Sequence, residues 1–119
     1  MVIEEEDLVD IRPGKNIAIK VPVYKWEETV AFYRQKIGLE VVKELANSIG
    51  FAFGNITLWI DRVERQSQVD VWLEIFTSDP DRALEHLGGP RRDELEPLDD
   101  VNGHWTSDPA GVVLLVRKE

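Results

Sequence analysis

The stretch from Asn16 to Val42, NIAIKVPVYKWEETVAFYRQKIGLEVV, constrains the fold more than any other part of the chain. From Asn16 to Val23, β-branched residues alternate with other residues, which is the pattern of a strand with one face against a core. Helical spacing follows, with one apolar stripe made of Trp26, Val30, Tyr33 and Ile37. Gly38 stands where a helix ends in a left-handed residue, and Leu39 to Val42 resumes as a strand. The stretch therefore predicts a strand, a helix and a second strand.

A second stretch, from Val69 to Val116, repeats this order of strand, helix and strands. Asp79 predicts a helix start because its side chain caps free N–H groups, and Pro80 suits the first helical position, where no N–H is needed. The polar run Glu64 to Gln68 is the predicted connection between the two halves. The remaining strands are predicted at Ile49 to Phe53, Ile56 to Asp61, Asp93 to Leu98, His104 to Ser107 and Gly111 to Arg117.

The repetition predicts one α+β domain over residues 1–119, because this length is typical of a single domain. Its two βαβββ modules are expected at about residues 15–61 and 69–119. Residues 1–14 are expected to form an acidic N-terminal arm, which ends in a turn at Pro13 and Gly14.

Three strings carry a resemblance to a known family: AFYRQKIGLEVV at Ala31–Val42, SDP at Ser78–Pro80 before a short helix, and SDPAGVVLLV at Ser107–Val116. They resemble the glyoxalase/bleomycin resistance protein/dioxygenase superfamily, also called the vicinal oxygen chelate (VOC) superfamily. The resemblance covers nearly the whole chain from about Lys15 and implies a single VOC-like domain. It also implies that the two modules pair into a curved, half-open mixed sheet that binds a ligand on its concave face. A homodimer is the assembly that the resemblance implies.

The amino-acid composition excludes several classes of function for this chain. The chain has no cysteine, which excludes disulfides, thiolate metal sites and a cysteine nucleophile. Its net charge is −9 and no basic surface is apparent, so we expect no nucleic-acid partner. No segment is long and apolar enough to span a bilayer, and the N-terminus lacks the pattern of a signal peptide. We therefore expect a cytoplasmic protein with no membrane partner.

The resemblance also assigns positions for metal ligands. The chemistry of this family requires a divalent metal held by His, Gln or Glu side chains, which leave coordination positions open for substrate oxygens. Counted from the shared strings, those positions carry Ala18, Trp59, Trp72 and Leu115, none of which can ligate a metal. His86 and His104, the two histidines, have no histidine partner at ligand spacing. We expect no metal and no cofactor.

The alternation of the strands assigns side chains to the concave face. The predicted wall comprises Ala18, Lys20, Pro22, Thr57, Trp59, Asp61, Trp72, Glu74, Phe76, Val113, Leu115 and Arg117. The candidate ligand-binding residues are Lys20, Thr57, Trp59, Trp72, Glu74, Leu115 and Arg117. Two tryptophans on a mostly apolar wall favour flat or cationic ligands, through stacking and cation–π contact. For catalysis, Glu74 is the candidate general base, and Lys20 is the candidate partner of a developing oxyanion.

An alternative interpretation gives the same residues a purely structural role. The two tryptophans would then fill a closed core. Lys20 and Glu74 would pair with each other, or with Arg117 and Asp61, because an unpaired buried charge is costly.

Three hypotheses follow. The first is a metal-free protein of the bleomycin-resistance type that sequesters an apolar, aromatic or cationic small molecule. The second is a lyase, isomerase or dioxygenase with a metal in an unorthodox site built from Asp61, Glu74 and His104. The third is a ligand-free dimeric structural module.

Overall fold

The structure is a computed structural model that describes residues 9–119, so most of the predicted acidic arm, residues 1–8, lies outside the described residues. The chain divides into two compact units. The first unit is Lys15–Leu73, and the second comprises Glu74–Glu119 together with the described residues up to Gly14. The described chain contains both helices and strands, and both parallel and antiparallel strand pairs occur. The predicted α+β class is confirmed.

The first unit contains the predicted βαβββ order. Strand β1 (Arg12–Pro22) leads into helix α1 (Val23–Ala31), which continues as a π-helix (Phe32–Ile37). Strands β2 (Val41–Leu45), β3 (Ser48–Phe53) and β4 (Ile56–Val63) follow. The order in the sheet is β2-β3-β4-β1, with β1 parallel to β4 and the other two pairs antiparallel.

One face of this sheet packs against the helix. Its buried members are Val21, Ile49, Phe51, Leu58 and Ile60. Trp26, Val30 and Tyr33 from the helix pack against them, and the Trp26 indole N–H donates to the Ile60 carbonyl at 3.0 Å. Each such apolar side chain contributes about 1.5–3 kcal/mol on burial. The alternation in β1 and the helical stripe therefore identified this core correctly.

The last turns of the helix differ from the prediction. Ile37, expected on the buried stripe, is 50% exposed. A π-helix bonds i to i+5, so it places more residues in each turn than the 3.6-residue period assumes. Ile37 is consequently rotated away from the core. Gly38 ends the helix with φ 84°, the left-handed conformation that was predicted.

The turn predicted at Pro13 and Gly14 is wrong, because β1 already begins at Arg12. Gly14 instead allows the backbone of β1 to lie close to Glu74. A Cβ at this position would lie 2.6 Å from both the Cγ and the backbone oxygen of Glu74. Glycine inside a strand often marks such a backbone contact, and this use cannot be distinguished from a turn by sequence alone.

The second unit contains the end of β5 (Asp70–Phe76), helix α2 (Pro80–Leu87), and the antiparallel strands β6 (Gly103–Ser107) and β7 (Val113–Arg117). Asp79 caps α2 by accepting the Arg82 backbone N–H at 3.2 Å, as predicted. The turn between β6 and β7 is held by Asp108, whose Oδ1 accepts the N–H groups of Ala110 and Val112 at 2.9 Å.

The strand predicted at Asp93–Leu98 is not present, because this segment is irregular. The Leu95 backbone N–H donates to the Arg92 carbonyl at 3.3 Å, which closes a turn. Pro97 removes a ladder donor and favours an irregular path. The second half of the chain is therefore βαββ rather than βαβββ. No helix in residues 9–119 is long and apolar enough to cross a membrane.

Candidate functional site

Lys20 and Trp59 lie on the sheet face of the first unit that does not form the core. The parallel register of β1 and β4 pairs Ala18 with Trp59 and Lys20 with Asp61. The neighbouring residues Ile19 and Ile60 pair on the core side. Since side chains alternate along a strand, Ala18, Lys20, Trp59 and Asp61 share the opposite face. This is the face to which the sequence assigned ligand binding.

Lys20 is the most buried charge on this face, with 5% of its surface exposed. Its Nζ lies 2.7 Å from Asp61 Oδ2 and 4.2 Å from the centroid of the Trp72 ring. Asp61 also accepts a hydrogen bond from the Ser48 hydroxyl. The ammonium thus has an anionic partner and an aromatic face, which together offset the cost of its burial. The interpretation that gives these residues a purely structural role included this pairing of Lys20 with Asp61 among its alternatives.

Hydrogen bonds orient both indoles. The Trp59 N–H donates to Asn16 Oδ1 at 2.7 Å, and the Trp72 N–H donates to Asp70 Oδ2 at 3.0 Å. Asp70 is itself held in place, because its other oxygen accepts the Val71 backbone N–H at 3.0 Å. A tryptophan whose polar edge is bonded presents its large apolar face in a fixed direction.

The Trp59 indole also packs against the neighbouring strand β3. Gly50 stands opposite Trp59 in the β3–β4 pairing, and Ser48 stands opposite Asp61. A Cβ at Gly50 would lie 3.0 Å from Trp59 Cζ3 and 3.1 Å from Thr57 Cγ2, tighter than ordinary van der Waals contact. The indole therefore packs directly over the glycine.

Four residues of this arrangement were missed from the sequence: Asn16, Ser48, Gly50 and Asp70. A signal for each was present. Asn16 and Asp70 lie two residues before assigned wall positions, and a strand returns to the same face every two residues. The turn at Gly54 fixes the β3–β4 register, from which the positions of Ser48 and Gly50 follow.

Glu74, Leu115 and Arg117, the other assigned residues, belong to the second unit. The Glu74 side chain is 7% exposed, and its Oε2 lies 3.7 Å from Arg117 Nη1. Arg117 also donates from Nε to the Lys118 carbonyl at 2.9 Å. Leu115 stands opposite Trp105 in the β6–β7 pairing. The candidate base is therefore a buried carboxylate with an arginine partner.

The donor set does not fit the divalent metal that the family resemblance implies. The four positions assigned to ligands carry one methyl group, two indoles and one isobutyl group, and none of these is a metal ligand in proteins. In residues 9–119 no group of three His, Asp or Glu side chains is placed to hold an ion. Asp61 is bonded to Lys20 and Ser48, and His104 is bonded to Asp81. Of the three residues in the hypothetical unorthodox site, Asp61 belongs to the first unit, and Glu74 and His104 belong to the second.

No protein-family model matches the chain, and no curated protein matches it. Solved structures do match. A Mn(II)-bound glyoxalase from Novosphingobium aromaticivorans superimposes with a TM-score of 0.66 and 18% identity, covering 93% of this chain and 40% of the glyoxalase. Homoprotocatechuate 2,3-dioxygenase from Arthrobacter globiformis gives a TM-score of 0.58 and 20% identity, covering 92% of this chain and 37% of the dioxygenase.

A third match has the size of this chain. It is a glyoxalase/bleomycin resistance protein/dioxygenase superfamily member from Vibrio splendidus 12B01, with a TM-score of 0.56 and 9% identity. The alignment covers 94% of this chain and 100% of the Vibrio protein. By contrast, the chain spans only about two fifths of the glyoxalase. At these identities the likeness shows the fold and nothing about the reaction.

Proposed function

We propose, from the premise that this chain has the glyoxalase/bleomycin resistance/dioxygenase fold, that it is a metal-free protein that binds an apolar, aromatic or cationic small molecule. The observation that carries the proposal is the pair of oriented indoles, Trp59 and Trp72, at two of the positions where the resemblance places metal ligands. Indoles at these positions replace coordination of substrate oxygens with stacking and cation–π contact. The proposed function is similar to that of bleomycin-resistance proteins, which sequester a small molecule.

The charges beside the indoles support a neutral or cationic ligand. Asp61 and Asp70 contribute two carboxylates to this face, and Lys20 contributes one ammonium. The whole chain carries a net charge of −9, which attracts cations at long range.

Binding is tested with two probes of nearly equal shape, phenyltrimethylammonium and tert-butylbenzene, monitored by tryptophan fluorescence. The cation should bind more tightly, because its charge interacts with the indole face. Trp72→Leu should weaken binding of the cation about tenfold, and Trp59→Leu should weaken both probes. Trp105→Leu removes an indole of the second unit that donates to the Glu96 carbonyl, so it serves as the matched control. Equal losses in all three variants would contradict the proposal.

Metal content is measured on the same protein, purified without chelators, by elemental mass spectrometry. We expect far less than one zinc, iron, manganese or nickel ion per chain, since the assigned ligand positions carry no donors. A stoichiometric metal would favour an enzyme with a different ligand set.

The proposal includes a cytoplasmic location and a homodimer without nucleic-acid or membrane partners. A homodimer would sediment at about twice the 13.6 kDa of the chain. A monomer at micromolar concentration would remove the dimer from the proposal and leave the binding site untouched.

A further inference from the structure

The exposed apolar surface of this chain is concentrated in the first unit. Among residues 9–119, eleven large apolar side chains are exposed, and nine of them belong to Lys15–Leu73. Charge is divided differently. The first unit has eight lysines and arginines against seven carboxylates, a net charge of +1, whereas residues 1–14 and 74–119 have six against sixteen, a net charge of −10. An apolar contact between two molecules therefore meets the least repulsion on the first unit.

Three of the exposed side chains lie at one end of the first unit, where the helical segment ends. Phe32 and Ile37 belong to the π-helix and are each 50% exposed, and Phe53, the last residue of β3, is 48% exposed. The backbone brings the two segments together, because the Glu40 carbonyl accepts the Ala52 N–H at 2.8 Å. We call the surface made of Phe32, Ile37 and Phe53 the apolar end.

The apolar end extends the core of the first unit to the surface. The ring centroid of Phe32 lies 5.5 Å from that of Tyr33, which lies 6.3 Å from that of the buried Phe51. Phe53 follows Phe51 by two residues, so both lie on the same face of β3. Three half-exposed side chains of this size leave roughly 300 Å² of apolar surface, the size at which an exposed patch is often an interaction site.

Two charged residues flank the apolar end in the sequence. Lys36 lies in the last turn of the π-helix, and Glu40 follows the Gly38 that ends it. Both are exposed, and neither side chain has an ion-pair or hydrogen-bond partner among residues 9–119. Arg34 and Glu44, by contrast, pair with each other at 3.3 Å. A surface that carries one unpaired cation and one unpaired anion is complementary in charge to a second copy of itself.

The edge strand beside the apolar end is not suited to pairing with another strand. Strand β2 lies at the edge of the sheet, and its register is irregular between Val41 and Lys43. Irregular register and lysine side chains on an edge strand hinder the addition of a further strand. A partner at this end is therefore expected to bind through side chains.

We propose that the apolar end is the interface of a symmetric homodimer, in which each Lys36 pairs with the partner's Glu40. The interface rests on the homodimer included in the proposed function and adds the surface through which it forms. A two-fold axis at the apolar end presents the same patch on both chains, so both charge pairs form together. Stable interfaces bury about 800 Å² on each partner, with an apolar centre and a polar rim. The apolar end has the size of such a centre.

Sedimentation velocity of the full chain at micromolar concentrations tests the interface. The wild-type chain should form a dimer of about twice 13.6 kDa. Phe32→Ser and Ile37→Ser should each raise the dimer Kd about tenfold, because each removes an apolar side chain from the centre of the interface. Tyr24→Ser is the matched control, since Tyr24 lies at the start of the same helical segment and is 73% exposed. It should leave the Kd unchanged, and circular dichroism verifies that every variant is folded.

Charge reversal tests the proposed pairing directly. Lys36→Glu and Glu40→Lys should each weaken the dimer about tenfold, because two attractions become two repulsions. The double variant restores both pairs with their signs exchanged, so its Kd should return to within about twofold of the wild-type value. Losses that simply add in the double variant would contradict the pairing.

The remaining outcomes separate this interface from the other parts of the proposed function. A dimer whose Kd is unchanged in Phe32→Ser and Ile37→Ser would overturn the interface and leave the homodimer. A wild-type chain that stays monomeric would overturn both. Binding of that monomer to neutral phosphatidylcholine vesicles would assign the apolar end to a membrane surface instead. Phenyltrimethylammonium should bind all these variants as it binds the wild-type chain, because Trp59 and Trp72 are unchanged in them.

Discussion

The buried ion pair between Lys20 and Asp61 yields the sharpest prediction. With 2.7 Å between Nζ and Oδ2 and an effective dielectric of about 20, the attraction is about 6 kcal/mol before desolvation is subtracted. The side chains are 6% and 19% exposed, so solvent screens this pair little. Removing one partner leaves the other buried without its countercharge, which typically costs 3–5 kcal/mol. Because Asp61 keeps some solvent contact, we expect about 3 kcal/mol for each single variant.

The variants are Lys20→Met and Asp61→Asn, which preserve side-chain volume. If each alone lowers the free energy of unfolding by about 3 kcal/mol, the double variant should lower it by about 3–4 kcal/mol rather than about 6. The coupling of about 2–3 kcal/mol is the signature of a desolvated pair. Urea titrations followed by circular dichroism measure all four free energies.

Arg34 and Glu44 provide the matched control pair in the same unit. Their charged atoms lie 3.3 Å apart, but the side chains are 52% and 56% exposed. A cycle built on Arg34→Met and Glu44→Gln should give less than about 1 kcal/mol of coupling, because water screens exposed pairs. Additive effects at Lys20 and Asp61, or equal coupling at both pairs, would refute the reasoning.

Three further changes test other parts of the structure. Thr106→Val should raise the free energy of unfolding by up to about 1 kcal/mol, because it removes a buried hydroxyl that has no hydrogen-bond partner in residues 9–119; Thr77→Val should lower it by about 1 kcal/mol, because it removes a hydroxyl that accepts the Asp79 N–H, and urea denaturation separates the two. Gly50→Ala should cost about 1–3 kcal/mol and shift the emission of the indole above it, which fluorescence-detected unfolding reports; unchanged stability and emission would contradict that packing. Hydrogen bonds from the Ser78 hydroxyl and backbone N–H lower the pKa of Asp10 below its ordinary 3.8. Its contribution to stability is therefore present above pH 3.8 and is lost as the pH falls through the lowered folded-state pKa, a dependence that Asp10→Asn should remove in acid-unfolding curves.

Much of the fold was predictable because local and tertiary signals agreed. The alternation from Ile17 to Val21 and the stripe from Trp26 to Tyr33 identify opposite sides of the same core. Gly38 marked a helix end because few other residues adopt a positive φ there.

The predictions of local structure failed where the sequence signal was ambiguous or absent. Gly14 looked like a turn residue and instead permits close approach to Glu74. The segment Asp93–Leu98 contains apolar residues at Leu95 and Leu98, but their spacing of three and the intervening Pro97 leave no strand face. The π-helix gave no periodic signal at all, because six residues are too few to reveal a longer period.

The candidate site was predictable to the extent that strand alternation fixes faces. Lys20, Trp59 and Asp61 follow from counting along β1 and β4. The hydrogen bonds from Asn16 and Asp70 to the indoles do not, because they depend on side-chain rotamers that a strand pattern leaves undetermined. The cavity of about 300 Å³ at the C-terminal end of α2 was not predicted, since it arises from packing between a helix end and a turn.

A crystal structure of protein purified without chelators, soaked with phenyltrimethylammonium and measured across metal absorption edges, tests the central claim most directly. We expect the ammonium group against the indole face of Trp72 or Trp59, with no anomalous peak from a transition metal. A metal peak on that face, or a probe bound only elsewhere, would contradict a metal-free site built on the two indoles.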